Sequence, residues 1–190
     1  EKIREAASSL VTTEEKPEYF IMLGRRLWRG SDEGTLPSNI FTVVNLLYFG
    51  IDLITDTKER YEVAELHRIA GEKATALTAF SQAASYLRRG IKLLGKNSWT
   101  EKYALTLAIY DSLAEVEASN ADYDRVKTLV DDVHKNACNI DDKIRSYFTL
   151  IHSMASEDYV TEAINCGIDF LRELGEPFPL SISKSQINKE

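Results

Sequence analysis

The feature that most constrains this chain is an apolar spacing of four and then three residues that keeps returning. Ala76, Phe80 and Ala83 stand at i, i+4 and i+7; Val126, Val130 and Val133 repeat the spacing, and so do Ala163, Gly167 and Phe170. Residues spaced in this way share one face of an α-helix, whereas the alternating side chains of a strand would scatter them over both faces of a sheet. The three sets begin 50 and then 37 residues apart. The segment ahead of each set carries a stripe of its own: Tyr61, Ala64 and Leu66; then Leu105, Ile109, Leu113 and Val116; then Ile144, Phe148 and Ile151. Small residues let one helix approach another closely, and the larger ones fill the groove between them. One such pair cannot cover its own apolar face, so pairs must stack.

The rest of the chain agrees with a helical reading. Only 4 prolines and 9 glycines interrupt 190 residues, of which 44% are hydrophobic and 28% charged, a composition for a helical protein rather than a sandwich or a disordered tail. Periodicity predicts a short helix over 1–11 and a second from Pro17 to near Gly30. After the loop "GSDEGTLPSN", Ser38 or Asn39 can cap a third, carrying the apolar run "IFTVVNLLYFGIDLI". Six more follow in three pairs: from Asp56 or Thr57 to about 72, 73 to 94, 98 to 119, 122 to 137, 141 to 155, and 158 to 174. Gly95 reads as one stop signal, and Gly175 with Pro177 as the last.

The segment "LHRIAGEKATALTAFSQAASYL" resembles a tetratricopeptide unit, with Gly71 placed at its turn; near Ala121 and Asp158 the later units lack that glycine. The expected fold is therefore all-α, an α-α superhelix of tetratricopeptide-like hairpins. It comprises a helical lead-in over 1–55, three hairpins over 56–175 and a polar tail over 176–190.

Longer stretches carry a more specific likeness. "FTVVNLLYFGIDLI", "AELHRIAGEKATALTAFSQAASYLRRGIKLL", "WTEKYALTLAIYDSLAEVEAS" and "EAINCGIDFLRELGEPFP" resemble the helical-repeat region of very large multidomain signalling proteins. In that family a protein-kinase-like domain and an AAA-type signal-transduction ATPase precede the helical segment, and GAF, PAS and histidine-kinase modules follow it. The resemblance covers about residues 1–180 and departs from the family's "NQL"-like step at Asn45, Leu46 and Leu47. It implies a conformational relay or protein-binding module. The family's ATP-binding and phosphotransfer residues lie outside the matched region, so none carries over.

Tested one by one, the chemical motifs give way to structural readings. Gly90 to Asn97 fits GxxxxGK, but Asn97 stands where a phosphate-binding loop needs Ser or Thr, and the stretch ends a helix instead of opening one. His67, His134 and His152 fall on three different helices without metal-ligand spacing and read as partly exposed helix-face residues. Cys138 and Cys166 form no CxxC and read as reduced thiols. No GxSxG elbow occurs. Asp141 and Asp142 suit a helix N-terminus. The net charge of −7 disfavours nucleic acid and anionic membranes, and no apolar run is long enough to span a bilayer. The opening without methionine or signal peptide and the polar tail read as those of a cytoplasmic piece of a longer polypeptide.

The reading that follows is a non-catalytic scaffold or relay, without cofactor or metal, whose partners are proteins: adjacent domains of the same polypeptide or a separate protein or peptide. Arg25, Arg26 and Arg29 form one basic group that could touch an acidic partner, and Arg88, Arg89 and Lys92 a second; a solvated helix face is the plainer alternative for both. The alternative function is a peptide-binding adaptor whose concave face is lined by Glu65, Arg68, Lys102 and Arg145. Trp28 and Trp99 are interface anchors or, more simply, inter-helix packing. A small helical enzyme is the third reading.

Overall fold

A computed structural model describes residues 12, 15–32 and 34–176. Every α or β element among them is helical: α1 (Lys16–Arg29), α2 (Leu36–Phe49), α3 (Thr57–Ala76), α4 (Phe80–Leu93), α5 (Ser98–Glu101), α6 (Tyr103–Ser119), α7 (Tyr123–Asn136), α8 (Asp141–Ser156) and α9 (Val160–Glu173), with a 3-10 turn at Ile51–Leu53. The helix expected over 1–11 and the tail beyond Glu176 lie outside the described residues. The chain divides into two compact units, the first ending at Val116 and the second beginning at Glu117. The lead-in helices α1 and α2 belong to the first unit together with α3 and α4.

In the first unit, α1 opens with Pro17 in its first turn and closes at Gly30, whose N–H bonds to the Arg26 carbonyl at 3.0 Å. α2 starts at Leu36, ahead of the expected caps Ser38 and Asn39. The carboxylate of Asp32 folds the loop beforehand by accepting the N–H groups of Gly34 and Thr35 at 3.1 and 2.7 Å. Nor does α2 continue through Ile54. Gly50 ends it where the backbone of α1 comes so close that a Cβ would stand 2.6 Å from the Pro17 carbonyl oxygen. Ile40, Val43, Val44 and Leu47 of α2 are fully buried. Removing four side chains of this size from water stabilises the fold by about 1.5–3 kcal/mol each.

Asp56 caps α3 as expected, accepting the Glu59 N–H at 2.8 Å. The helix then runs past the break expected at Glu72 and ends at Ala76. Gly71 is no turn residue: it lies inside α3, buried, facing Leu87 of α4. The turn is at Leu77–Ala79, with Thr78 in the left-handed region at φ 55°. Ala76 is consequently an exposed terminal residue of α3 and Phe80 is half-buried. The face of α4 turned toward α3 is Ala83, Leu87 and Gly90, the expected spacing moved on by seven residues.

Three of the helix-to-helix turns share one geometry. Thr78, Ala121 and Asp158 all take left-handed φ values, 55°, 57° and 62°. In each turn the next N–H reaches back five residues: Ala79 to Ala74 at 2.9 Å, Asp122 to Glu117 at 3.0 Å, Tyr159 to Met154 at 3.0 Å. This is the hydrogen bond of a Schellman helix end, and none of the three left-handed residues is glycine. Five residues beyond each turn stand Ala83, Val126 and Ala163, all buried. Gly175 repeats the geometry at φ 83°, with Glu176 N–H to Leu171 at 2.9 Å, and stops α9 as expected.

The expected helix over 98–119 is broken at Lys102, whose φ of −140° separates α5 from α6. α4 ends at Leu93 in an extended Leu94, and Gly95 is not left-handed, so the helix stops there without a glycine cap. The stretch is nonetheless a helix end, with Gly90 buried against Ile109 and the Ala64 carbonyl.

In the second unit, Asp122 caps α7 by accepting the Arg125 N–H at 3.2 Å, and Val126, Val130 and Val133 are fully buried. α8 is capped by the side chain of Asn139, which accepts the Asp142 N–H at 3.0 Å; Asp141 and Asp142 supply first-turn charge. Of the expected core stripe Ile144, Phe148 and Ile151, only Ile151 turns inward, half-buried with its Cδ1 beside Gly167 of α9. Ile144 is 46% and Phe148 73% exposed, and α8 instead buries Ser146, Thr149, Leu150 and Ser153. Among the described residues no helix is long and apolar enough to cross a membrane.

Candidate functional site

The concavity that gathers the most sequence-selected residues lies in the first unit, along α3. Its apolar wall is Trp28, Leu36, Leu66, Ile69 and Leu105; its polar rim includes Lys58, Glu62, Glu65 and Lys102; its volume is about 600 Å³. Helical spacing explains the arrangement. Lys58, Glu62, Glu65 and Ile69 follow one another at intervals of four, three and four along one face of α3. Lys102 enters because the chain bends between α5 and α6, and Trp28 because α1 is held against α3.

That hold is a two-pronged ion pair. Arg25 Nε and Nη2 donate to the two carboxylate oxygens of Glu59 at 2.6 and 2.7 Å. The pairing raises the pKa of the guanidinium, and it removes Arg25 from the set of groups that a partner could bind directly. Deeper in the groove the Tyr61 hydroxyl donates to Glu101 Oε2 at 2.7 Å, and that bond holds the phenol above its usual pKa.

The other sequence-selected contact residues distribute unevenly. Glu65 and Lys102 share the groove. Arg68 stands one turn beyond Glu65, forked onto its carboxylate at 2.6 and 2.8 Å and also bonded to Glu72; these partners raise its pKa. Arg26 and Arg29 are exposed, and Arg26 borders a second concavity, of about 580 Å³, with Leu23, Leu27 and Leu46. Arg145 lies on α8, in the second unit. Trp99 makes ring contacts with Tyr103 and Tyr110, at 5.9 and 5.0 Å between centroids. Leu36 and Ile69, which complete the apolar wall, were not singled out in the sequence; both simply continue apolar stripes.

Of the three histidines expected to be partly exposed, His67 departs from that reading. His67 is wholly buried, and neither ring nitrogen has a hydrogen-bond partner. Burial, and then the charge of Arg89, lower its pKa to about 3, so it is a neutral core residue at ordinary pH. His134 is half-buried: its Nε2 is 3.0 Å from Ser146 Oγ, and its ring lies 4.1 Å from that of Tyr147. Burial, then Lys143, lower its pKa. His152 alone is exposed. No group of three or more His, Cys, Asp or Glu is gathered for a metal among the described residues. Cys138 is exposed and Cys166 half-buried, both as free thiols.

The His134–Ser146 pair brings an imidazole within hydrogen-bond distance of a serine hydroxyl. Ser146 is 1% exposed and donates to the Lys143 carbonyl at 2.9 Å, so the imidazole N–H donates to the serine rather than taking its proton. Around it Tyr147 stacks on Phe170 at 4.0 Å and donates to Glu173 at 3.2 Å, and Lys143 donates to Glu173 at 2.7 Å. Burial, then the Glu173 carboxylate, push the Tyr147 phenol up to about 12.

Compared with proteins of known identity, the chain is similar to hybrid signal transduction histidine kinase G of Dictyostelium discoideum. The two are 29% identical over 134 aligned residues, which take in 58% of this chain and 4% of that protein. The chain thus spans a small fraction of the relative's length. No known protein family matches it, and no solved structure matches it.

Proposed function

We propose that this chain is a non-catalytic, tetratricopeptide-like helical segment of a larger cytoplasmic signalling polypeptide, and that it acts by holding a protein segment in the α3 groove. The observation that carries the reading is the groove itself, an apolar wall of Trp28, Leu36, Leu66 and Ile69 rimmed by Lys58, Glu65 and Lys102. A largely half-buried aromatic and aliphatic wall ringed by charges of both signs suits a peptide or helix better than a small substrate, which needs converging reactive groups. The repeated turns at Thr78, Ala121 and Asp158 support the helical-repeat reading, and the likeness to a hybrid histidine kinase supports the signalling context. The inward-donating geometry at His134 and Ser146 favours a structural over a catalytic role for that pair.

Two sources for the bound segment follow from the resemblance: a neighbouring domain of the same polypeptide, which makes the chain a relay, or a separate protein, which makes it an adaptor. Hydrogen exchange on the isolated chain and on the longer polypeptide containing it tests the proposal. The account expects slower exchange over residues 58–69 and 102–105 in the longer form or on addition of a partner. Unchanged exchange there, in every context, counts against it.

A further inference from the structure

A third, smaller concavity of about 270 Å³ opens between α2 and α4 and is lined by Tyr48, Ser85, Arg88, Arg89 and Lys92. Three cations therefore meet at one place on a chain whose net charge is −7. Arg88 and Lys92, four residues apart on one helix, carry like charges, an arrangement that helix stability alone does not favour.

Arg89 is held in a fixed orientation. Its guanidinium lies over the Tyr48 ring at 3.8 Å from the centroid, and its Nη1 donates to Asn45 Oδ1 at 3.1 Å. Both partners are neutral, so they orient the group without cancelling its charge. A planar guanidinium fixed in this way is preorganised to offer its remaining N–H groups in a fork. Lys92 is close to one carboxylate, Asp52, at 4.0 Å, with both side chains largely exposed, a pairing worth little in water. A basic residue at a helix C-terminus often serves the last carbonyls, but here that task falls to Arg60, which donates to the Lys92 and Leu93 carbonyl oxygens at 3.2 and 3.1 Å.

We infer that this pocket binds a phosphomonoester dianion carried on a phosphorylated side chain of a protein partner, with Arg89 as the fork and Arg88 and Lys92 as flanking charges. Ser85 adds a hydroxyl donor at the edge. A phosphate monoester offers three acceptor oxygens and nearly two negative charges at neutral pH, matching the number and spread of donors. The pocket is open and lacks an apolar slot for a nucleotide base. The site lies on α4, away from the residues that line the α3 groove, and does not depend on that groove being occupied.

The test uses the full chain, labelled with ¹⁵N, titrated at constant ionic strength with blocked phosphoserine, with blocked serine and with inorganic phosphate. The expected result is saturable shifts of the Arg89 side chain and the Ser85 amide with blocked phosphoserine and none with blocked serine. Arg89→Gln should weaken binding by about tenfold or more, the scale of a lost charge-assisted pair. The variant Lys92→Gln alters an exposed side chain and should weaken it while leaving thermal unfolding unchanged. Inorganic phosphate binding as tightly as the blocked phosphoserine would overturn the assignment to a phosphorylated side chain. Unsaturable shifts, or binding equal in both variants and the parent, would overturn the site.

Discussion

Leu87 of α4 occupies the space that the missing side chain of Gly71 leaves on α3: a Cβ at residue 71 would stand 2.6 Å from Leu87 Cγ. Alanine normally gains about 1 kcal/mol over glycine within a helix, but overpacking of this kind costs about 1–3 kcal/mol. Gly71→Ala should therefore lower stability, measured by urea unfolding, despite its better helix propensity. In a Leu87→Ala background the same change should become neutral or stabilising. A Gly71→Ala protein more stable than the parent would remove the proposed close contact.

The three non-glycine left-handed turns make an opposite prediction. Thr78→Gly and Ala121→Gly each relieve a strained φ and should stabilise by about 0.5–1 kcal/mol, less the entropy that glycine adds to the unfolded chain. Asp158→Gly should gain less, because aspartate tolerates the left-handed region better than threonine or alanine. Thermal unfolding of the three single variants ranks them, and the reverse ranking would mean that the turn geometry is wrong.

His67 sets a pH dependence. Its folded pKa of about 3 lies below the ordinary value of 6.5, so the unfolded chain binds a proton that the folded chain refuses. Stability contributed by the neutral ring is complete above pH 6.5 and is lost progressively as pH falls toward 3. At pH 5 the loss is on the order of 2 kcal/mol. His67→Phe keeps an aromatic ring without the titration, so the difference between parent and variant should grow in the variant's favour from pH 7.5 to pH 5. Parallel stability curves over that range would contradict the burial of an unpaired imidazole.

Arg25 and Glu59 tie α1 to α3 and thereby place Trp28 in the groove wall. A double-mutant cycle with Arg25→Met and Glu59→Gln should give a coupling energy of about 1 kcal/mol, since the pair is forked and half-buried. Breaking it should also shift the Trp28 fluorescence in a Trp99→Phe background. An unshifted spectrum would mean that the pair does not position the tryptophan.

Much of the helical architecture is legible in the sequence because its signals are local. Pro17, Asp56, Asp122 and Gly175 mark helix ends where they were expected. Register is harder to read. Ala76, Phe80, Ala83, Leu87 and Gly90 offer the same spacing twice, seven residues apart, and a buried helix glycine at 71 imitates a turn while the true turn carries threonine. The face of α8 escaped for a related reason. Its core side carries the small, polar Ser146, Thr149 and Ser153, of which Ser146 and Thr149 satisfy their hydroxyls within the helix or against His134, whereas the larger Ile144 and Phe148 stand outward. Hydrophobic size alone pointed to the wrong side. Of the candidate contact residues, spacing within α3 could group Glu65 with Arg68, but only the folded chain brings Lys102 and Trp28 to Glu65.

Photo-crosslinking from the groove tests the central claim most directly. With p-benzoylphenylalanine in place of Lys102, in the longer polypeptide and in its native cellular setting, the account predicts one dominant adduct to a defined protein segment. An adduct within the same polypeptide marks a relay and an adduct to another protein an adaptor. The same probe at the outward Lys127 of α7 should give no such adduct. Equal, diffuse labelling from both positions, or none from residue 102, would contradict the groove as a protein-binding surface.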